Sequence, residues 1–216
     1  MIRIVVADDH TIVREGLKQL LAAAGDLQVV GEAQDGFEVM KRVRELDFDL
    51  LLLDMSMPGK SGIELIKQVK AEKPKLKVLV LSMHEEHQYA VRAIRAGAAG
   101  YLTKESASRQ LVEAIRKVAS GGAFISSAVA EQLALGAMPD AQGAPHESLS
   151  DREFQVFRML AEGKSISDIA GRLNLSVKTV STHKANILHK MSLATSGDLI
   201  RYAIAHRLVE GSEGTG

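Results

Sequence analysis

The decisive stretch is Leu50-Leu51-Leu52-Leu53-Asp54-Met55-Ser56-Met57-Pro58-Gly59. Four consecutive leucines read as a strand buried on both faces, because a strand covered on one side only would alternate with polar residues. The run stops on a carboxylate, and Pro58-Gly59 then turns the chain away. Carrying an Asp to the tip of a buried strand costs desolvation energy, which marks Asp54 as a candidate functional group. The competing reading is a helix cap or a solvated loop residue.

The flanking sequence supports a repeating strand–helix unit. Ile2–Ala7 reads as a strand followed by Asp8 and Asp9. Val13, Leu17, Leu20, Leu21 and Ala24 then recur at helical spacing. Leu27–Ala33 is strand-like, and Asp35-Gly36-Phe37-Glu38 has the spacing of a capping box. Ser61-Gly62-Ile63-Glu64 has the same spacing after the leucine strand. A fourth strand is expected at Lys77–Ser82 and a helix at His87–Ala96. A fifth strand is expected at Ala98–Leu102, followed by a helix capped by Ser106 or Ser108 and carrying Leu111, Ile115 and Val118. This alternation predicts a doubly wound, five-stranded parallel sheet of flavodoxin-like type, with helices on both faces. Ligands of such sheets bind beyond the C-terminal strand ends, at the switch point. Asp8, Asp9, Asp54, Ser82 and Lys104 all fall at that edge.

The residue types narrow the chemistry. Three carboxylates gathered at one point repel unless a cation sits among them. An oxygen-only donor set suits Mg²⁺, and the sequence has no cysteine to supply thiolates or disulfides. A flavin phosphate site is disfavoured, since Asp8-Asp9-His10 would repel the phosphate. A carboxylate beside Mg²⁺ can attack a phosphoryl group and form an acyl phosphate, with Lys104 and the Ser82 hydroxyl around the added oxygens. For each residue alone the plainer reading is a solvated or capping side chain, and only the coincidence of all of them favours a site.

Composition adds bounds. The chain has 216 residues, zero formal net charge, 46% hydrophobic and 25% charged residues, enough for one large or two small domains. Any basic, nucleic-acid-binding surface must therefore be local. Neither a signal peptide nor a membrane span is read from the sequence, so the expected location is the cytoplasm and no membrane partner is expected.

The remainder reads as a linker and an all-α second domain. Ala128–Leu135 is a short helix, and residues 136–145 are small, polar and turn-rich. The expected division is 1–120, a linker with a short helix over 121–147, a helical domain over 148–210, and a disordered tail over 211–216. Ser150-Asp151-Arg152-Glu153 is a capping box opening a helix. Ser165–Leu173, a turn at Asn174-Leu175-Ser176 and Val177–Met191 form a helix-turn-helix pattern. The last of these helices carries Lys178, Lys184 and Lys190 and no acid, with Thr179, Ser181, Thr182, His183 and Asn186 as groove-compatible donors and acceptors. The plainer alternative is a small bundle with a solvated basic face. A final helix is expected at Gly197–His206.

These motifs resemble a known family. Residues 1 to about 120 are similar to the receiver domain of two-component response regulators, through Ala7-Asp8-Asp9-His10, Leu53–Gly62, Leu81-Ser82 and Gly100-Tyr101-Leu102-Thr103-Lys104. Leu149–Leu208 resembles the LuxR-type helix-turn-helix domain, through Leu149–Glu153, Ile169-Ala170 and Ser176–His183. Together they resemble a NarL/FixJ-type response regulator.

The resemblance implies that Asp54 accepts phosphate from a sensor histidine kinase, and that Asp8, Asp9, Asp54 and the Ser56 carbonyl hold Mg²⁺. It implies that Lys104 pairs with the phosphoryl oxygens, that Ser82 and Tyr101 form a switch pair, and that Ser56 and His84 tune phosphoryl lifetime. It places Ser181, Thr182 and Ala185 toward bases and Lys178, Thr179, His183 and Lys184 near phosphates of promoter DNA. It assigns Leu199, Ile200 and Ala203 to homodimerisation, the alternative being simple packing inside the domain, with RNA polymerase a further candidate partner. The chain departs from the pattern at Glu105, where many receivers have proline, and at Ser181, where many relatives have lysine. The expected function is a phosphorylation-switched transcription factor, not a turnover enzyme. The alternatives are a constitutive DNA-binding dimer and an Asp-nucleophile phosphatase. Such phosphatases need a second Asp two residues after the first, where this chain has Ser56.

Overall fold

Strand β3, Leu50–Asp54, is buried at every residue and lies at the middle of the sheet. Its neighbours are β1 (Ile2–Ala7) and β4 (Lys77–Ser82), with β2 (Leu27–Ala33) and β5 (Gly100–Thr103) at the edges. The order is β2-β1-β3-β4-β5 and every pairing is parallel. The computed structural model describes residues 1–57, 62–82, 87–135, 144–206 and 208–209. The chain forms two compact units, Met1–Leu135 and Gly136–Gly216.

The alternation of β3 explains its four leucines. Leu51 and Leu53 join Val5, Val78, Val80 and Tyr101 on one face. That face is covered by α2 (Gly36–Glu45), α3 (Gly62–Glu72) and α4 (His87–Arg95) through Val39, Ile66 and Ala90. Leu50 and Leu52 join Ile4, Val6, Leu79 and Leu102 on the other. There α1 (Thr11–Ala22) and α5 (Lys104–Ala119) contribute Leu17, Leu21, Leu111 and Ile115. At about 25 cal/mol per Å² of apolar area, each fully buried leucine contributes roughly 2 kcal/mol, which is why both faces can be covered without help from polar contacts. The entry to β3 is pinned by Asp49: its carboxylate accepts from Arg3 N–H at 2.7 Å, and its own N–H donates to the Arg3 carbonyl at 2.9 Å.

One helix start differs from the sequence reading. The cap of α5 is Thr103, whose hydroxyl accepts from Ser106 N–H at 3.2 Å, in place of the expected Ser106 or Ser108. The strand therefore passes into the helix at once, and Lys104 occupies the first helical position beside the strand ends. The Ser61 box falls outside the described residues, as do His84 and the 211–216 tail.

The segment after α5, expected as the start of a linker, belongs to the first unit. Phe124 N–H donates to the Ala99 carbonyl at 3.1 Å, and Tyr101 N–H donates to the Phe124 carbonyl at 2.8 Å. Gly100 makes this approach possible, since a Cβ there would lie 2.7 Å from Leu79 Cδ1 and 3.0 Å from the Phe124 oxygen. Helix α6 (Ser127–Leu135) then buries Val129 in the same core face as Tyr101.

In the second unit, a 3-10 turn at Pro145–Ser148 precedes α7 (Asp151–Ala161), α8 (Ile166–Leu173), α9 (Val177–Lys190) and α10 (Ser196–Ala205). Each α-helix opens on a hydroxyl cap: Ser150, Ser165, Ser176 and Thr195. Phe154, Phe157, Ile169, Val180, Ile187 and Leu199 are buried. Asn174 takes a left-handed conformation, φ +52°, to end α8 and turn the chain into α9.

Candidate phosphoacceptor pocket and DNA-facing helix

The order of strands reverses between β1 and β3, so loops leaving those two strands diverge and open a crevice. Asp8 follows β1 and Asp54 ends β3, and both are about 1% exposed. Lys104, from the start of α5, reaches across: its Nζ donates to Asp8 Oδ2 at 2.6 Å and to Asp54 Oδ2 at 2.9 Å. The other Asp54 oxygen accepts from Ser56 N–H at 3.0 Å. Burial pushes the Asp54 carboxyl above its ordinary range, against the pull of Lys104. Burial acts on Lys104 in the opposite sense, but its bonds to Asp8 and Asp54 outweigh it and hold the ammonium above its ordinary value.

Oxygen atoms of Asp8, Asp9 and Asp54 and a ring nitrogen of His10 lie within 4.8 Å of one another. Three carboxylates against one ammonium leave two negative charges uncompensated, which suits a divalent cation. Asp9 Oδ1 is buried without an aligned hydrogen-bond donor, although His10 Nδ1 stands 2.9 Å away. An orphaned buried carboxylate oxygen beside two others fits a hard metal ion. The Asp8 loop is held from behind by Arg14, whose guanidinium donates to the Asp8 carbonyl at 2.7 Å.

Ser82 ends β4, buried, and pairs in register with Thr103, while Tyr101 pairs with Val80. Ser82 and Tyr101 therefore share the sheet face that α4 covers. The pocket thus brings together Asp8, Asp9, Asp54, Ser56 and Lys104, with Ser82 and Tyr101 on the neighbouring strands. His10 and Arg14 were not singled out as site residues in the sequence. His10 stood in plain view within Asp8-Asp9-His10, but the contact of Arg14 had no local signal.

In the second unit, α9 exposes Lys178, Ser181, Thr182 and Ala185, with Thr179, His183 and Lys184 half-buried. Val180 and Ile187 form its buried side. Leu199 and Ala203 of α10, expected at a dimer contact, are fully buried within their own unit. Ile200 is half-buried, and Ile204 is 47% exposed.

Comparison with known proteins agrees with both halves. The family described as "Response regulator receiver domain" matches residues 4–116. The family described as "Bacterial regulatory proteins, luxR family" matches residues 147–203. The chain belongs to the NarL/FixJ-type response regulators.

As a response regulator with a LuxR-type DNA-binding domain, it is a transcription regulator. Response regulator GacA of Pseudomonas aeruginosa is 39% identical, covering 98% of this chain and 100% of that protein. Response regulator UvrY of Escherichia coli K12 is 37% identical over 96% of each. Among solved structures, RcsB of Salmonella enterica serovar Typhimurium, bound to promoter rprA in the presence of the phosphomimetic BeF3-, is 30% identical. It covers 94% of this chain and 98% of that one, with a TM-score of 0.65. No helix among the described residues is long and apolar enough to cross a membrane.

Proposed function

We propose that this response regulator is switched by phosphorylation of Asp54 by a sensor histidine kinase, with Mg²⁺ held by Asp8, Asp9, Asp54 and the Ser56 carbonyl. The observation that carries the reading is Lys104 Nζ bridging Asp8 and Asp54 in a buried, under-neutralised pocket at the sheet's switch point. Bound Mg²⁺ supplies the positive charge that lets phosphate oxygens approach three carboxylates. An Asp54 oxygen attacks the phosphorus of a phosphohistidine. The new O–P bond forms as the P–N bond breaks, and the electron pair leaves with the imidazole. Lys104 transfers its hydrogen bond from the Asp54 carboxylate to the added oxygens, and the Ser82 hydroxyl reaches them from β4. Tyr101, on the same face, follows Ser82, and this shifts the receiver between two packings.

The active packing promotes dimerisation and places two α9 helices on promoter DNA half-sites. Lys178, Thr179, His183 and Lys184 lie near phosphates and Ser181, Thr182 and Ala185 near bases. RcsB bound to promoter DNA in the presence of a phosphomimetic, and RcsB dimers bound to DNA, support this reading.

Solution mass with Mg²⁺, with and without beryllium fluoride, tests it on the wild type and on Asp54→Asn. The wild type is expected to dimerise only with beryllium fluoride, and the variant to stay monomeric. Dimerisation of both alike would place the switch away from Asp54.

A further inference from the structure

We infer that α9 reads A·T pairs through thymine methyl groups, with Val177 as a specificity residue alongside Thr182 and Ala185. The inference rests on the reading of α9 as the DNA-facing helix. Val177 is the first residue of α9 and is 52% exposed, an apolar side chain held in water at the end of the helix that leads into the groove. Val177, Ser181 and Ala185 recur at four-residue spacing on one exposed face, and Lys178 and Thr182 lie beside them.

The two hydroxyls of this face are already committed. Ser181 Oγ donates to the Val177 carbonyl at 2.9 Å, and Thr182 Oγ1 donates to the Lys178 carbonyl at 3.0 Å. A hydroxyl has one hydrogen and two lone pairs, so what Ser181 and Thr182 offer outward is acceptor capacity and the Thr182 methyl. A G·C pair presents the N7 and O6 acceptors of guanine and the N4 donor of cytosine but no methyl, and neither hydroxyl of this face has a hydrogen left to give guanine. An A·T pair presents the thymine methyl and the adenine N6 donor. The methyls of Val177, Thr182 and Ala185 match the first, and Ser181 Oγ matches the second. Lys178 and Lys184 flank the stripe, where they serve the backbone without choosing bases.

The test uses the full chain in Mg²⁺ and beryllium fluoride. Duplexes are selected from a random pool, and the selected duplex is then remade with deoxyuridine for thymidine at one position at a time. This removes one methyl and leaves base pairing intact. Selected half-sites are expected to centre on A·T pairs. Binding is expected to weaken about fourfold at each contacted thymine, the worth of about one buried methyl. In Val177→Ala, which shortens an exposed side chain and favours the helix, one of those penalties is expected to disappear. Selected sites centred on G·C pairs, or equal binding of thymidine and deoxyuridine duplexes, would overturn the methyl reading while leaving DNA binding in place. Failure to enrich any sequence, with affinity unchanged in Lys184→Ala, would instead remove α9 from the DNA and take both readings with it.

Discussion

Each unit buries a carboxylate, and the two carboxylates are treated in opposite ways. Asp54 in the sheet unit and Glu153 in the helical unit are 1% and 4% exposed. Burial pushes both acids up. At Glu153 it is overcome: Lys190 Nζ donates at 2.7 Å and Ser150 N–H at 2.8 Å, and the carboxyl ends below its ordinary value. At Asp54 it is not overcome. Lys104 is shared with Asp8, and the carboxyl ends above its ordinary value. A capping-box glutamate with a lysine of its own is finished structure. An aspartate that shares its lysine with a second aspartate, beside a third that no lysine or arginine pairs among the described residues, is left for a ligand to complete.

The sharpest way to break this contrast is to remove the acceptor. Asp54→Asn is expected to abolish incorporation of phosphoryl label from a small phosphodonor with Mg²⁺, while Glu153→Gln labels normally. Label retained on the Asp54→Asn variant would end the argument for this pocket.

Next in size is the effect of metal on stability. Saturating Mg²⁺ is expected to stabilise the first unit by about 2.7 kcal/mol at a hundredfold excess over its Kd and to leave the second unit unmoved. Two thermal transitions followed with and without EDTA measure this. A shift of the helical unit would show that its acids bind metal as well.

Glu153→Ala sharpens the other side. It removes a cap partner and leaves Lys190 unpaired, so it is expected to cost the second unit about 1–2 kcal/mol and to lower its transition by roughly 5–10 °C. An unchanged transition would mean that the box contributes nothing.

The smallest expected effect is in acid. The folded value of Glu153 lies below the ordinary 4.5, so its contribution is present above that pH and lost as pH falls through the folded value. The folded value of Asp54 lies above the ordinary 3.8, so its charged form weakens the metal-free unit, and acidification through the folded value relieves that cost. In EDTA, lowering the pH is thus expected to change the two contributions in opposite directions. Urea midpoints of each unit, wild type against Glu153→Gln and Asp54→Asn, read the difference. Parallel pH profiles would contradict the contrast.

Much of this was legible in the residues. Leu50–Leu53 read as a doubly covered strand, and in a parallel sheet the polar residues closing β1, β3 and β4 then meet at one edge. Lys104 was legible for the same reason. Other features were not. Thr103 was passed over as the cap because threonine suits strands and caps alike, and Ser106 and Ser108 stood just beyond it. Thr195 and Asp198 form a capping box that uses Asp in place of the expected Glu or Gln. Arg14 meets Asp8 through a backbone carbonyl, which no side-chain pattern encodes. The stripe on α10 was visible, but periodicity says only that Leu199 and Ala203 are buried, not against which chain.

The leucine run carries a further consequence, one of folding fidelity. Four identical side chains make β3 degenerate: a slip of two residues against β1 or β4 keeps the same faces inward and sacrifices little apolar burial. Hydrophobicity alone therefore cannot tell the native alignment from a neighbouring one. Asp49 can, because its paired bonds to the Arg3 backbone exist in one register only. By fixing that alignment at the entry of the strand, Asp49 sets where the far end stops, and so decides that Asp54, not a leucine, stands beside Lys104.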